Sequence, residues 1–227
     1  AHAAGVALAM KLRGQARAAV CILGDGATSK GDVYEAMNVA GAWTLPVLFV
    51  VSNNQWAISL ARDGQTAAET LAQKAIATGF AGEQVDGNDV IAVHAACLAA
   101  LEKARRGGGP HLIEAITYRL SDHTTADDAS RYRNDDAVSP HWAADPIPRL
   151  RSYLTAAHGW SQQDEETLIG ECRALVDEAA ESYLEVSPLP PEAMFDNLYA
   201  ELPKPIAAQR AAVASGRGHG GGKETDA

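Results

Sequence analysis

An α/β fold, with a mostly parallel sheet flanked by helices and a helical extension toward the C-terminal end, is predicted by three observations. Short apolar runs alternate with segments of helical periodicity. The apolar runs end in turns made of Gly, Asp and Asn. A long acidic helical pattern, from Asp164 to Glu185, follows the last apolar run.

In chain order, residues 2–13 form a helix that leads straight into the first strand. Ala18-Ala19-Val20-Cys21-Ile22-Leu23 is an unbroken apolar run, the pattern of a strand buried on both faces. Ser29 and Asp32 resemble a capping box for a helix carrying Val33, Ala36, Met37 and Ala40. Pro46-Val47-Leu48-Phe49-Val50-Val51 is the second strand. Residues 66–78 read as a helix with Thr66 as N-cap and Leu71, Ala75 and Ile76 on one side. Residues 80–85 are a strand, and Asp86-Gly87-Asn88 a turn. Residues 89–106 are a helix with Val90, Val93, Cys97, Ala100 and Leu101 along one stripe, ended by Gly107-Gly108-Gly109-Pro110. Residues 111–118 make a further strand. Residues 120–139 are polar and aperiodic, a long loop of the kind that carries function. A helix starts at Asp145-Pro146-Ile147-Pro148. Ser161 caps a long amphipathic helix with Leu168, Cys172, Leu175, Val176, Ala179 and Tyr183 on its apolar stripe, broken by Pro188, Pro190 and Pro191. A last short helix holds Met194 and Leu198. From Pro203 onward the chain reads as a flexible tail, in which His219 is a poor catalytic candidate.

At 227 residues, 47% hydrophobic and 21% charged, the chain suits one α/β domain with a well-buried core. Its net charge of −10 argues against general nucleic-acid binding. Cys21, Cys97 and Cys172 stand singly, with no CxxC pair, so neither a zinc site nor a disulfide framework is suggested and a reducing compartment fits. No apolar stretch approaches the ~20 residues needed to span a bilayer, and no secretory signal is visible.

The chemistry concentrates where two apolar runs end. Gly24-Asp25-Gly26 closes the first and Asn53-Asn54 the second, with Asp25 and Asn54 29 positions apart. In a parallel sheet both fall at the carboxyl ends of strands, where ligands gather. One carboxylate, one amide oxygen and a backbone carbonyl form a half-shell for octahedral Mg²⁺, which shares its remaining positions with phosphate oxygens and water. Gly24 and Gly26 let the backbone approach a diphosphate, and the N–H groups of Gly26 and Ala27 favour the anion.

The stretches Gly24-Asp25-Gly26-Ala27-Thr28-Ser29-Lys30-Gly31-Asp32 and Asn53-Asn54-Gln55-Trp56-Ala57-Ile58-Ser59 resemble the thiamine diphosphate motif of the 2-oxo acid dehydrogenase E1 α subunits. Leu71-Ala72-Gln73-Lys74-Ala75, Val85-Asp86-Gly87-Asn88-Asp89, Tyr118-Arg119-Leu120-Ser121-Asp122-His123-Thr124, Arg131-Tyr132-Arg133 and Asp145-Pro146-Ile147-Pro148-Arg149-Leu150 continue the likeness over about residues 1–200. It is greatest to the bacterial pyruvate dehydrogenase type. The resemblance implies a thiamine diphosphate-binding α/β domain over residues 1–160 that is incomplete at its N-terminus, C-terminal helices over 161–202 and the tail over 203–227. It implies Asp25 and Asn54 as Mg²⁺ ligands, joined by the backbone carbonyl of Trp56. Gly26 and Ala27 would bind the diphosphate, and Ala57 and Ile58 would line the cofactor cleft. His123 would contact the diphosphate from the loop, with Arg119, Tyr132 and Arg133 supporting catalysis or docking.

The implied activity is oxidative decarboxylation of pyruvate with acyl transfer to lipoyl groups of an E2 dihydrolipoyl acyltransferase, in an α₂β₂ heterotetramer with an E1 β subunit. It would be cytoplasmic in a bacterium and in the mitochondrial matrix in a eukaryote. A branched-chain 2-oxo acid E1 α subunit, an acetoin dehydrogenase α subunit and a non-catalytic assembly fragment are the alternatives. Ser121-Asp122 departs from the family, which tends to have Gly followed by Pro or His, and places a carboxylate near the expected diphosphate. Thr124 stands where mitochondrial relatives carry a regulated phosphoserine.

Overall fold

The computed structural model describes residues 1–216, so His219 and the glycine run around it lie outside the described residues. Contacts divide the chain into two units, the first spanning Ala1–Trp160 and the second beginning at Ser161.

The first unit is built on four parallel strands in the order β1-β2-β6-β5. Helix α1 (His2–Leu12) leads into β1 (Ala19–Gly24). A 3₁₀ turn (Gly26–Ser29) then passes to α2 (Gly31–Ala42). The expected Ser29–Asp32 cap is absent: the turn absorbs Ser29, Lys30 becomes the N-cap, and no side chain bonds the helix start. Strand β2 (Val47–Asn53) follows, and then a two-stranded hairpin of β3 (Trp56–Ala57) and β4 (Leu60–Ala61), with the single turn α3 (Arg62–Gln65). The helix expected over 66–78 is shorter and tighter, a 3₁₀ segment at Ala72–Thr78. Thr66 instead closes a local turn by accepting from Ala68 N at 3.2 Å. Strand β5 (Gly82–Asp86), helix α4 (Val90–Arg105) and β6 (His111–Ile116) complete a βαβ crossover. Asp89 caps α4 by accepting from Ile91 N and Ala92 N at 3.0 and 3.1 Å, an arrangement worth about 1 kcal/mol.

One face of the sheet packs Val47, Phe49, Val51 and Leu112 against Ala4 and Ala7 of α1, Met37 and Ala40 of α2, and Leu71 and Ala75. The other packs Leu48 and Ile113 against Ala100, with Cys97 and Leu101 at its margin. Each large apolar side chain fully buried there contributes about 1.5–3 kcal/mol. Strand β2 is central and is buried on both faces as its composition predicts. Strand β1 is not. It lies at the sheet edge, and Val20 and Ile22 are 48% and 75% exposed, because α4 covers β2, β5 and β6 and leaves their row open.

The segment expected to be one long loop is broken by a 3₁₀ turn (Ala129–Arg131), the short helix α5 (Asp135–Val138) and a further 3₁₀ stretch (Ser139–Ala144). Helix α6 (Pro146–His158) begins with Pro146 at its first position and Asp145 as its cap. Arg149 fastens it with ion pairs to Asp86 at 2.5 Å and Asp89 at 2.8 Å.

In the second unit, Ser161 and Asp164 form a full capping box for α7 (Gln162–Leu184). Its apolar stripe is exposed: Leu175, Val176 and Tyr183 all face solvent. A 3₁₀ turn (Pro191–Phe195) buries Phe195 and leaves Met194 exposed. Residues expected to belong to a flexible tail form α8 (Lys204–Ala214). Five alanines, counting Ala214, follow Pro205 there, and an alanine-rich run behind a first-turn proline favours helix. Among the described residues no helix is long and apolar enough to cross a membrane.

Candidate functional site

The parallel register sets Gly24 opposite Ser52, with neighbouring strands about 4.8 Å apart. The first residues to leave the sheet, Asp25 on one side and Asn53-Asn54 on the other, therefore emerge side by side. The turn after Asp25 sits directly against the hairpin after Asn54. A Cβ placed on Gly26 would meet Ala57 Cβ at 2.6 Å, so only glycine allows this approach.

Asp25 is 3% exposed, and its carboxylate receives one hydrogen bond from a neutral group, Gln65 Nε2 at 3.3 Å. A carboxylate removed from water is costly unless a cation or several good donors meet it. This environment fits a divalent cation. Its backbone is held tightly: Thr28 N and Thr28 Oγ1 donate to Asp25 O at 3.0 and 2.6 Å. Thr28 is held in turn by buried Lys74, whose Nζ donates to Thr28 O and Oγ1, each at 2.9 Å, and lies over the Tyr34 ring.

The Asn54 tip is equally constrained. Asn54 Oδ1 accepts from Trp56 N at 3.0 Å, leaving a second lone pair on that oxygen. Gln55 and Ile58 adopt left-handed backbone, φ 71° and 55°, conformations that non-glycine residues hold only at a cost. Asn53 stabilises the first of these by accepting from Gln55 N at 3.1 Å. Asn53 Nδ2 donates to Glu114 Oε1 at 2.7 Å; Glu114 lies in the middle of β6 and is 1% exposed. Glu114 Oε2 accepts from Ala72 N at 2.9 Å and Gln84 Nε2 at 3.1 Å.

The loop after β6 closes over the hairpin. Arg119 Nη2 donates to Ile58 O at 2.8 Å and to the Tyr132 hydroxyl at 2.6 Å. Tyr132 donates to Asp127 Oδ2, which also accepts from His123 N at 2.8 Å. The Tyr132 bond, with help from the His123 N–H, holds the Asp127 carboxyl below the usual carboxylate range. Burial, then the Asp127 bond, pushes the Tyr132 hydroxyl up. His123 is exposed, with Nδ1 3.4 Å from Arg119 Nη1. The fold thus brings Arg119, His123 and Tyr132 together. Arg133 is turned inward instead, and its guanidinium donates to the carbonyls of Arg119, Leu120 and Ser121. Trp56 joins hairpin to loop: Nε1 donates to Tyr118 OH at 3.1 Å, and the ring lies 5.6 Å from that of Tyr132. Asp122, the carboxylate at odds with the family pattern, turns into its own loop and accepts from Ala129 N at 2.9 Å. Ala57 packs against Gly26, and the Ile58 side chain is exposed.

A cleft of about 760 Å³ opens beside the hairpin, at the carboxyl ends of β5 and β6; Trp56, Arg62, Asp86, Tyr118 and His141 line it. Among the described residues no group of three or more His, Cys, Asp or Glu is placed to hold a metal. The donor set at the tips is one carboxylate with an amide and carbonyls, which suits a cation that takes its other ligands from phosphate and water. It does not suit zinc.

Glu114, Lys74, Thr28 and Asn53 were not singled out from sequence as site residues. Glu114 carried a usable signal, since one acid inside the apolar strand His111–Ile116 must find partners.

Comparison with known proteins places the chain in a family. The Dehydrogenase E1 component family matches residues 1–191. The chain is 45% identical over 209 residues to the 3-methyl-2-oxobutanoate dehydrogenase subunit alpha of Mycobacterium tuberculosis, covering 92% of this chain and 57% of that protein. It is 44% identical over 207 residues to the pyruvate dehydrogenase E1 component subunit alpha of Bacillus cereus, and 42% identical over 207 residues to that of Staphylococcus epidermidis. Each of these alignments covers 91% of this chain and 56% of the relative. The chain thus spans little more than half the length of the curated relatives it matches.

Proposed function

We propose that this chain, which belongs to the Dehydrogenase E1 component family, provides the metal and diphosphate anchor of a thiamine diphosphate-dependent 2-oxo acid dehydrogenase E1 α subunit. The observation that carries the reading is Asp25, a buried carboxylate without a cationic partner among the described residues, beside Asn54 at the neighbouring strand tip. Asp25 and Asn54 bind Mg²⁺ through side-chain oxygens, and the Trp56 carbonyl completes the protein's share. Gly26 and Ala27 present N–H groups to the diphosphate. His123 and Arg119 meet the same anion from the loop, and Tyr132 and Arg133 hold that loop in shape. Ala57 and Ile58 border the cofactor on the hairpin. Bound thiamine diphosphate supplies the electron sink for loss of CO₂ from a 2-oxo acid. The chain's own residues would bind it and offset its charge.

Pyruvate is the substrate of first choice, with acyl transfer to an E2 lipoyl group and an E1 β subunit as partner. The Mycobacterium tuberculosis relative favours a branched-chain 2-oxo acid as the second reading. Asp25→Ala in the full-length α chain assembled with its β partner tests the anchor. Calorimetry with thiamine diphosphate and Mg²⁺ is expected to lose the binding seen for the parent; undiminished binding would overturn the assignment. Turnover of pyruvate against 3-methyl-2-oxobutanoate decides the substrate.

A further inference from the structure

The geometry points to Glu114 as a positioning residue that sets the spacing of the two proposed metal ligands, an inference that rests on the anchor reading above. Two chains of hydrogen bonds start at its carboxylate. One runs from Oε1 to Asn53 Nδ2, and from Asn53 Oδ1 to Gln55 N, and so fixes the left-handed turn that presents Asn54. The other runs from Oε2 to Ala72 N, which opens the 3₁₀ segment carrying Lys74. Lys74 then holds Thr28, and Thr28 holds the backbone of Asp25.

Glu114 accepts in all three of its bonds: from Asn53, Ala72 and Gln84. It bonds to neither proposed ligand, and it lies fully buried where no cation among the described residues meets it. A buried acid is expensive, and a hydrophobic residue in this strand would pack as well without that cost. What the acid adds is direction. Each oxygen addresses a different strand tip, so one rigid group on β6 governs both.

Mg²⁺ demands a near-ideal octahedron with short bonds, whereas Ca²⁺ accepts longer and more variable ones. A residue that sets ligand spacing should therefore matter more for Mg²⁺ than for Ca²⁺. Glu114→Gln keeps the shape but turns one acceptor into a donor facing donors. The measurement is calorimetry of thiamine diphosphate binding at stepped Mg²⁺ or Ca²⁺, on the full-length α chain with its β partner. Half-saturation by Mg²⁺ is expected to rise about tenfold, the lower end of what losing an outer-shell partner costs, and that for Ca²⁺ less than about threefold. No shift, or equal shifts for both ions with only a lower melting temperature, would overturn the inference. Should Glu114→Gln fail to assemble, Gln84→Leu decides, because it removes one exposed donor from the same carboxylate: a smaller shift of the same selective kind supports the role, and an unchanged ratio of the two ions overturns it. Undiminished metal dependence in Asp25→Ala would instead sink the underlying anchor reading and leave the Glu114 contacts as architecture alone.

Discussion

The strand tips and the loop over residues 119–133 both gather polar side chains, but one set is built inside the protein and the other on its rim. At the tips Asp25, Lys74 and Glu114 are all buried, and each bond there replaces water that cannot return. On the rim His123 is exposed and Asp127 and Tyr132 are half-buried, so water competes for every bond they make. The difference teaches a division of labour. The buried set fixes distances, and the rim set is held by bonds that water can replace.

The largest expected effect comes from breaking the buried side. Asp25→Ala should weaken combined thiamine diphosphate and Mg²⁺ binding at least about a hundredfold, beyond the loss from an outer-shell change. Gly26→Ala is next: its Cβ must push Ala57 away, and overpacking of this kind costs about 1–3 kcal/mol. A lowered melting temperature together with weaker Mg²⁺ binding is the expected pair of results. A normal affinity would show that the tips need not touch.

On the rim, Arg133→Met removes the buried guanidinium of the loop and strands three carbonyls. Hydrogen exchange over residues 119–133 should accelerate about tenfold or more, with β1 and β2 unchanged. Tyr132→Phe deletes only the hydroxyl that bridges Arg119 and Asp127, and about threefold faster exchange is expected. Its pH dependence sharpens the comparison. The lowered Asp127 contributes fully above its ordinary carboxylate range, and that contribution fades as pH falls through its lowered value. The raised Tyr132 contributes below its ordinary value near 10 and fades as pH rises beyond it. Loop protection should hold a plateau between about pH 4 and 10 and fall on both sides. The smallest effect is expected for Arg149→Ala, outside both regions. The ion pairs it removes are half-exposed, and a slight fall in melting temperature that salt screens away is the expected outcome.

Much of this architecture is legible in the chain itself. The segments 18–23, 46–51, 80–85 and 111–118 each hold a strand, displaced by no more than two residues at either end, since short stretches bounded by turn residues and too brief for a helix favour extended backbone. The pairing of Gly24-Asp25-Gly26 with Asn53-Asn54 was visible because strand ends in a parallel sheet share one side. The segment 66–78 differs in extent from its pattern, with the helical turn confined to Ala72–Thr78. Its periodicity is helical, but Glu114 pins Ala72 N and Lys74 reaches to Thr28, and these bonds start the turn late and hold it as 3₁₀. Arg133 offered no signal of its inward course, because an arginine in a polar segment reads as surface until the carbonyls around it are known.

Local patterning by itself determined that strands and helices alternate, that the sheet is parallel, and that an acid and an amide stand at adjoining strand ends. The elements themselves depend on neighbours a few residues apart, and the parallel order of successive strands then brings their carboxyl ends to one side. Only tertiary structure decided that equally apolar β1 and β2 differ in burial, and that a lone glutamate in a third strand braces both tips. Burial and bridging are properties of what arrives from distant sequence, and no local pattern encodes which helix covers a strand or which donor meets a buried acid.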